Sequence, residues 1–304
     1  MCACVQTISE INSKILAGEA KVHTEMELWN LMQSGTDPTS LQVDVITKAF
    51  RGGISGSAAM LLVPVTGRGQ FTRAEKIWLN GVPGYPGPAP NERLGVVDTL
   101  VFVDQVPSDI KEGNRSAKLF LDLLNNREIQ VECLSAEGDT YQSTFVLNTL
   151  QYARMVTYNT FIPMSCSNEG IDEDGVHDHL QTIRVGHKVL LNKAPGLVIG
   201  SGTRGSFVRN SLSLSADMFE MDPECLVEIP DDPGLPIAHS VALPIPVLNE
   251  SVLGSVTKEL SRRQPGSSTS CFHESDEKMA AYLKELVLKK EFTMTDSDTQ
   301  VLCR

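Results

Sequence analysis

The stretch Lys76-Ile77-Trp78-Leu79-Asn80-Gly81-Val82-Pro83-Gly84 recurs as Lys188-Val189-Leu190-Leu191-Asn192-Lys193-Ala194-Pro195-Gly196, with five of nine positions identical. Each copy is a short apolar strand followed by Asn and Pro-Gly, residues that place turns. A glycine-rich stretch follows each: Tyr85-Pro86-Gly87-Pro88 in one, Gly200-Ser201-Gly202-Thr203-Arg204-Gly205 in the other. A chain carrying this pattern twice must build two rigid strand–turn units. Two readings are open: related half-sites facing each other across one cleft, or strand–turn grammar recurring by chance. A single short match with no longer repeat around it favours the second. Either way the turn residues, Asn80 among them, mark rigid positions from which loops present chemistry.

The rest of the chain separates an α/β part from a strand-rich part. Thr7-Ile8-Ser9-Glu10 and Thr24-Glu25-Met26-Glu27 are capping-box patterns opening helices that Gly18 and Gly35 close. Leu41–Ile46 alternates as a strand, and Ala58–Val63 and Val96–Val103 read as buried strands. Ser116–Asn126 carries Leu119, Leu123 and Leu124 on one helical face. Glu128–Leu134 and Thr140–Leu147 form two strands joined through Ser135–Asp139, and Asn148–Tyr158 reads as a helix. A polar loop at 165–181 divides the chain. Strand-rich sequence then runs to Val247, and a helix follows to Leu260. This predicts an α/β fold, a mixed-sheet N-terminal half joined to a strand-rich C-terminal half. One domain would span residues 1–262, with a sub-boundary near 165–181. Residues 263–304 would add a linker, a short helix (Met279–Lys290) and a disordered tail from Thr293.

Charge and composition exclude several classes. The 304 residues carry a net charge of −12 with no basic patch, so no nucleic-acid partner is expected. The longest apolar run, Ala58–Val65, is too short to cross a bilayer, and no secretory signal opens the chain, so a cytoplasmic protein is expected. Seven cysteines stand at 2, 4, 133, 166, 225, 271 and 303 without a Cys-x-x-Cys pair. This argues against disulfides, zinc ribbons and clusters. The acidic run Asp172-Glu173-Asp174 with His177, Asp178 and His179 reads as solvated surface, so no metal and no other cofactor is identified in the chain.

Candidate chemistry rests on loops and cysteines. Gly52-Gly53-Ile54-Ser55-Gly56-Ser57 either brings backbone amides up to an anion or makes a tight turn. Gly202, Thr203 and Arg204 form a mobile-backbone loop whose guanidinium suits a carboxylate. No serine-hydrolase or metalloprotease motif is present, leaving cysteine as the best nucleophile class. Spacing alone makes Cys133, on a predicted strand, core rather than catalytic, because apolar surroundings disfavour the thiolate.

Three segments taken in order resemble the homocysteine-biosynthesis, sulfur-incorporation family of L-aspartate semialdehyde sulfurtransferase-like proteins. They are Thr7–Asn12 with Gly18-Glu19-Ala20, Trp78–Pro83, and Pro244–Glu250. Pro90-Asn91-Glu92-Arg93-Leu94-Gly95 and the block from Arg184 to Gly200 are most similar to the methanogenesis marker sixteen metalloprotein branch. The resemblance implies incorporation of sulfur into L-aspartate semialdehyde to form homocysteine, in an archaeal setting. The family's two functional cysteines fall on Ile54–Ser57 and on Asp139-Thr140-Tyr141, and neither is a cysteine here. The implied catalytic set is therefore Cys133, Asp139, Thr140 and Tyr141. Ser55, Gly56, Ser57, Asn80, Gly202, Thr203 and Arg204 would bind a small carboxylate-bearing substrate in one cleft. The sulfur would come from Cys133 or from external sulfide or a persulfide donor with a reductant. A ferredoxin-like or nucleotide-binding partner would act in trans. The alternative is a non-catalytic accessory binding protein of methanogen metabolism that keeps the family fold.

Overall fold

The computed structural model describes residues 5–54, 56–87, 90–103, 110–157, 182–201, 212–228, 237–262 and 274–295. In chain order the elements are α1 (Ile8–Ala17), β1 (Val22–Thr24), α2 (Glu25–Gln33), β2 (Val45–Gly53), β3 (Ser57–Pro64), β4 (Ala74–Leu79), β5 (Val82–Pro86), β6 (Val96–Phe102), α3 (Ile110–Leu124), β7 (Ile129–Ser135), β8 (Thr140–Phe145), β9 (Ala153–Thr157), β10 (Lys188–Leu191), β11 (Ala194–Ser201), β12 (Leu212–Asp217), β13 (Val227–Glu228), β14 (Ile237–Pro246), α4 (Glu250–Arg262) and α5 (Glu274–Leu288). The fold is α/β with mixed strand pairing: β1 and β2 run parallel, and the hairpins pair antiparallel. Two compact units share the chain: Met1–Gly52, Thr160–Leu214 and Ser240–Arg304 form unit one, and Gly53–Asn159 with Ser215–His239 forms unit two.

Unit one orders its strands β1-β2-β14-β10-β11. Both capping boxes close as their sequences require, with Thr7 and Thr24 side chains accepting from the amides of Glu10 and Glu27. Gly18 ends α1 in the left-handed conformation. All ten residues of β14 are buried. At the C-terminal end, α5 buries Met279, Ala280, Leu283 and Val287, and contacts β1. Thr293, Met294 and Thr295, which sequence alone reads as the start of a disordered tail, pack with unit one. Phe292 and Met294 are buried. Asn12 brackets Met294 through two bonds, its amide donating to the carbonyl (2.7 Å) and its oxygen accepting the amide (2.8 Å). Thr295 donates to the Gly186 carbonyl.

Unit two orders its strands β9-β3-β6-β5-β4-β7-β8. The segment expected as a helix over 148–158 is instead a short 3-10 turn at Leu147–Thr149 followed by β9. Strand pairing decides this: β9 ladders with β3 on one side and β12 on the other. Its short apolar run had no period by which sequence could tell strand from helix. The strand expected at Leu41–Ile46 begins later, at Val45, where pairing with β1 starts.

The repeated nonapeptide is one structure built twice. Leu79 pairs with Val82, Trp78 with Pro83 and Ile77 with Gly84 in the β4–β5 hairpin. Leu191 pairs with Ala194, Leu190 with Pro195 and Val189 with Gly196 in the β10–β11 hairpin, the same register. Both turns place two residues at positive φ: Asn80 (48°) and Gly81 (75°), Asn192 (49°) and Lys193 (72°). Paired positive φ values define the two-residue type I′ hairpin, which favours Asn-Gly. Each Asn also brackets a third strand. Asn80 donates its amide to the Gln130 carbonyl (2.9 Å) and accepts the Gln130 amide on Oδ1 (2.8 Å). Asn192 does the same with Ser240, at 2.8 and 3.0 Å. Correspondingly β7 lies against β4, and β14 against β10, both antiparallel. Chance strand–turn grammar does not extend to the third strand and its bracket.

Candidate functional site

In unit two the segment Ile54–Ser57 is a tight turn at the entry to β3. The Ser57 amide closes it on the Ile54 carbonyl (2.9 Å), and Gly56 sits at φ +76°, a backbone state that favours glycine. The Ile54 amide donates to Ile237 (3.2 Å) and the Gly56 amide to Val103 (3.2 Å). The amides of Ile54, Gly56 and Ser57 are thus committed to carbonyls, which leaves none of these three to cradle an anion. What the turn presents is a side chain. Ser57 Oγ lies 2.8 Å from His239 Nε2, with both residues buried. Burial alone drives the imidazole down to about 3 from its ordinary 6.5, so it is neutral at physiological pH.

The other expected segment lies elsewhere. Asp139, Thr140 and Tyr141 occupy the β7–β8 hairpin, Asp139 and Thr140 exposed and Tyr141 half-buried. The Tyr141 hydroxyl donates to the Gln70 carbonyl (3.0 Å), and its ring stacks on Phe71 at 5.3 Å. Loss of hydration, with smaller contributions from the exposed Asp139 and Glu137, pushes the Tyr141 phenol upward. The hairpin meets the exit of β3, where Ser143 donates to Pro64 (2.7 Å), whereas Ser57 opens that strand. Seven extended steps separate Ser57 from Pro64, roughly 23 Å. One cleft containing both Ile54–Ser57 and Asp139–Tyr141 is therefore not formed; the strand between them holds them apart.

Cys133 is core. It is 0% exposed on the inward face of β7, opposite Tyr141 and Ile77 in the ladders. Burial, with a smaller contribution from the Glu92 carboxylate, pushes its thiol up to about 11. A thiol in that state supplies little thiolate for sulfur chemistry. Cys225 is half-buried in the 3-10 turn Pro223–Cys225 ahead of β13. Asn80 is the hairpin bracket described above. Ser55, Gly202, Thr203 and Arg204 lie outside the described residues, as do Cys2, Cys4, Cys166, Cys271 and Cys303.

Sequence reading missed His239 because its partner lies 182 positions away. The available signal was a histidine, beside Ser240, inside the otherwise apolar run Ile237–Pro246. It also missed Lys48, fully buried in unit one, whose ammonium sits 2.5 Å from Glu259 and 3.2 Å from Glu25. No group of three or more metal-ligating side chains occurs among the described residues. No described helix is long and apolar enough to cross a membrane.

Comparison with known proteins agrees with the sequence resemblance. The family described as "Homocysteine biosynthesis enzyme, sulfur-incorporation" matches residues 20–168 and 174–261. An uncharacterized protein of Methanothermobacter thermautotrophicus is 34% identical over 81% of this chain and 64% of its own length. L-aspartate semialdehyde sulfurtransferases of Methanosarcina acetivorans and Methanocaldococcus jannaschii are each 25% identical over 82% of this chain, covering 56% and 55% of their lengths. The chain thus spans less than two thirds of the length of these relatives. No solved structure matches.

Proposed function

The chain belongs to the homocysteine-biosynthesis, sulfur-incorporation family, and from that membership we propose that it is a binding member without its own sulfur carrier. In this reading it takes a small carboxylate-bearing acceptor of the L-aspartate semialdehyde class. The sulfur transfer takes place on a partner protein, which brings the sulfide or persulfide and the electrons. The balance requires both. With sulfide, the aldehyde carbon gains a C–S bond, loses its oxygen as water, and takes up two electrons and two protons to become a thiol. With a persulfide donor two further electrons and protons are needed, and the donor leaves as its thiol.

The observation that carries this reading is Cys133, wholly buried and with its thiol pushed up to about 11. The positions where the resemblance places the family cysteines, in Ile54–Ser57 and at Thr140, carry no thiol and stand apart in unit two. Calorimetry with L-aspartate semialdehyde tests the binding half and should show saturable heat. An assay with L-aspartate semialdehyde, sulfide and a reductant tests the other half. Homocysteine should form no faster with the chain than without it. Protein-dependent turnover abolished by Cys225→Ser or Cys166→Ser would overturn the reading.

The names of the 25% identical relatives favour a second reading, a sulfurtransferase using external sulfide. Protein-dependent turnover that survives replacement of every cysteine would establish it in place of the first.

A further inference from the structure

The first residues of β14, Ile237–His239, which belong to unit two, grip the turn Ile54–Ser57 at both ends. The Ile237 carbonyl holds the first residue of the turn through its amide, and two residues on, His239 Nε2 holds the last through Ser57 Oγ at 2.8 Å. Between these points Val103 takes the Gly56 amide and donates its own to the Ser57 carbonyl (2.9 Å). The backbone bonds fix where the turn lies. They leave the Ser57 side chain, 1% exposed, dependent on a polar partner from another strand.

The choice of residue is informative. Apart from His239 and Ser240, β14 is apolar over Ile237–Pro246, and every residue in it is buried. The Ser240 backbone is engaged in the Asn192 bracket. A valine at 239 would bury without desolvation cost, whereas an imidazole must be compensated by hydrogen bonds. Ser57 and His239 are thus mutually dependent: apolar substitution of either leaves a polar group of the other buried.

From this we infer that His239 is the positioning residue of the Ile54–Ser57 turn, holding Gly56 and Ser57 in one conformation through the Ser57 hydroxyl. It acts through Ser57 and is not itself placed on a ligand. The role rests on the geometry of the turn. The acceptor-binding reading enters only the second arm of the test.

The first arm is amide hydrogen exchange on the full chain. His239→Leu and Ser57→Ala should each accelerate exchange at Gly56 and Ser57 by roughly tenfold or more, with the mid-strand amides of β3 and β6 unchanged. His239→Gln, which can present a neutral donor or acceptor, should restore most of the protection. The double variant Ser57→Ala/His239→Leu should exchange no faster than His239→Leu alone, because the Ser57–His239 bond is already absent there. Unchanged exchange at Gly56 and Ser57 in folded His239→Leu would overturn the inference. So would equal acceleration in the Gln and Leu variants, since that would show packing volume rather than the bond to be responsible. The second arm is calorimetry with L-aspartate semialdehyde on the same variants, where Leu should weaken binding more than Gln. If wild type binds nothing, the acceptor reading fails and the exchange arm still decides the role of His239.

Discussion

The β4–β5 and β10–β11 hairpins share register, turn geometry and the Asn bracket onto a third strand, yet they lie in different surroundings. In unit two Asn80 is half-buried and brackets Gln130, which is exposed. In unit one Asn192 is 0% exposed and brackets Ser240, itself 1% exposed. The second turn residue differs as well. Gly81 takes its positive φ without strain, whereas Lys193 holds φ +72° and places its ammonium 5.7 Å from the centre of the Tyr282 ring on α5. Identical local geometry therefore carries different energetic weight, because an unmade hydrogen bond costs little where water can replace it and much where it cannot.

The largest expected effect tests whether buried polar chemistry in unit one is structural throughout. Lys48→Met leaves Glu25 and Glu259 buried without that cation and should cost roughly 3–5 kcal/mol. Adding Glu259→Leu should recover part of it. Chemical denaturation of both variants checks this, and a loss below about 1 kcal/mol in the single variant would sink the premise.

The direct comparison comes next. Asn192→Ala removes the buried bond that Oδ1 accepts from the Ser240 amide and the residue suited to positive φ, for a loss of about 2–4 kcal/mol. Asn80→Ala should cost about 1 kcal/mol, because solvent reaches its partner. Equal losses from the two would show that turn geometry, not burial, sets the cost.

Unit two has its own buried polar pair, and there pH is the probe. The folded value for His239, about 3, lies below the ordinary 6.5. Between those values the unfolded chain takes up a proton that the folded chain refuses. Stability is therefore lost as pH falls from about 6.5 towards 3, by up to about 1.4 kcal/mol per pH unit, or about 2 kcal/mol by pH 5. His23 and His187 are lowered as well, chiefly by desolvation, and add in the same direction. Denaturation midpoints at pH 7 and pH 5 should therefore differ less in His239→Gln than in wild type; an unchanged difference would mean that His239 is not titrating as described.

Thiol reactivity offers a comparison inside one hairpin. Cys133 faces the core from β7 and Thr140 faces solvent on β8. Its raised pKa lowers the thiolate fraction of Cys133 about a hundredfold relative to an ordinary thiol near neutral pH. Thr140→Cys should accordingly react with an alkylating reagent at least that much faster, as intact-mass time courses would show. The smallest effect is Lys193→Gly. It relieves a left-handed lysine but gives up the Tyr282 contact, so the net change should stay within about 1 kcal/mol.

What could be read from residues alone was local. Thr7 and Thr24 announce helix starts because their side chains cap amides within three positions. Asn80-Gly81 announces a turn because few residues tolerate its backbone. The family resemblance was likewise legible, since it resides in ordered short segments. Other features could not be read, because they depend on partners distant in sequence. Ala153–Thr157 is a strand because β3 and β12 flank it, and Cys133 is inert because β7 turns it inward. The expected site residues Ile54–Ser57 and Asp139–Tyr141 were separated by the length of β3, which no spacing along the chain encodes. His239 finds Ser57, and Lys48 finds Glu259, across 182 and 211 positions. The sequence by itself determined the turns, the caps and the repeated strand–turn pattern, because their energies are settled within a few residues. Only the tertiary structure decided which polar groups lost water, and so which of them carry stability or candidate chemistry, because desolvation depends on everything packed around a group.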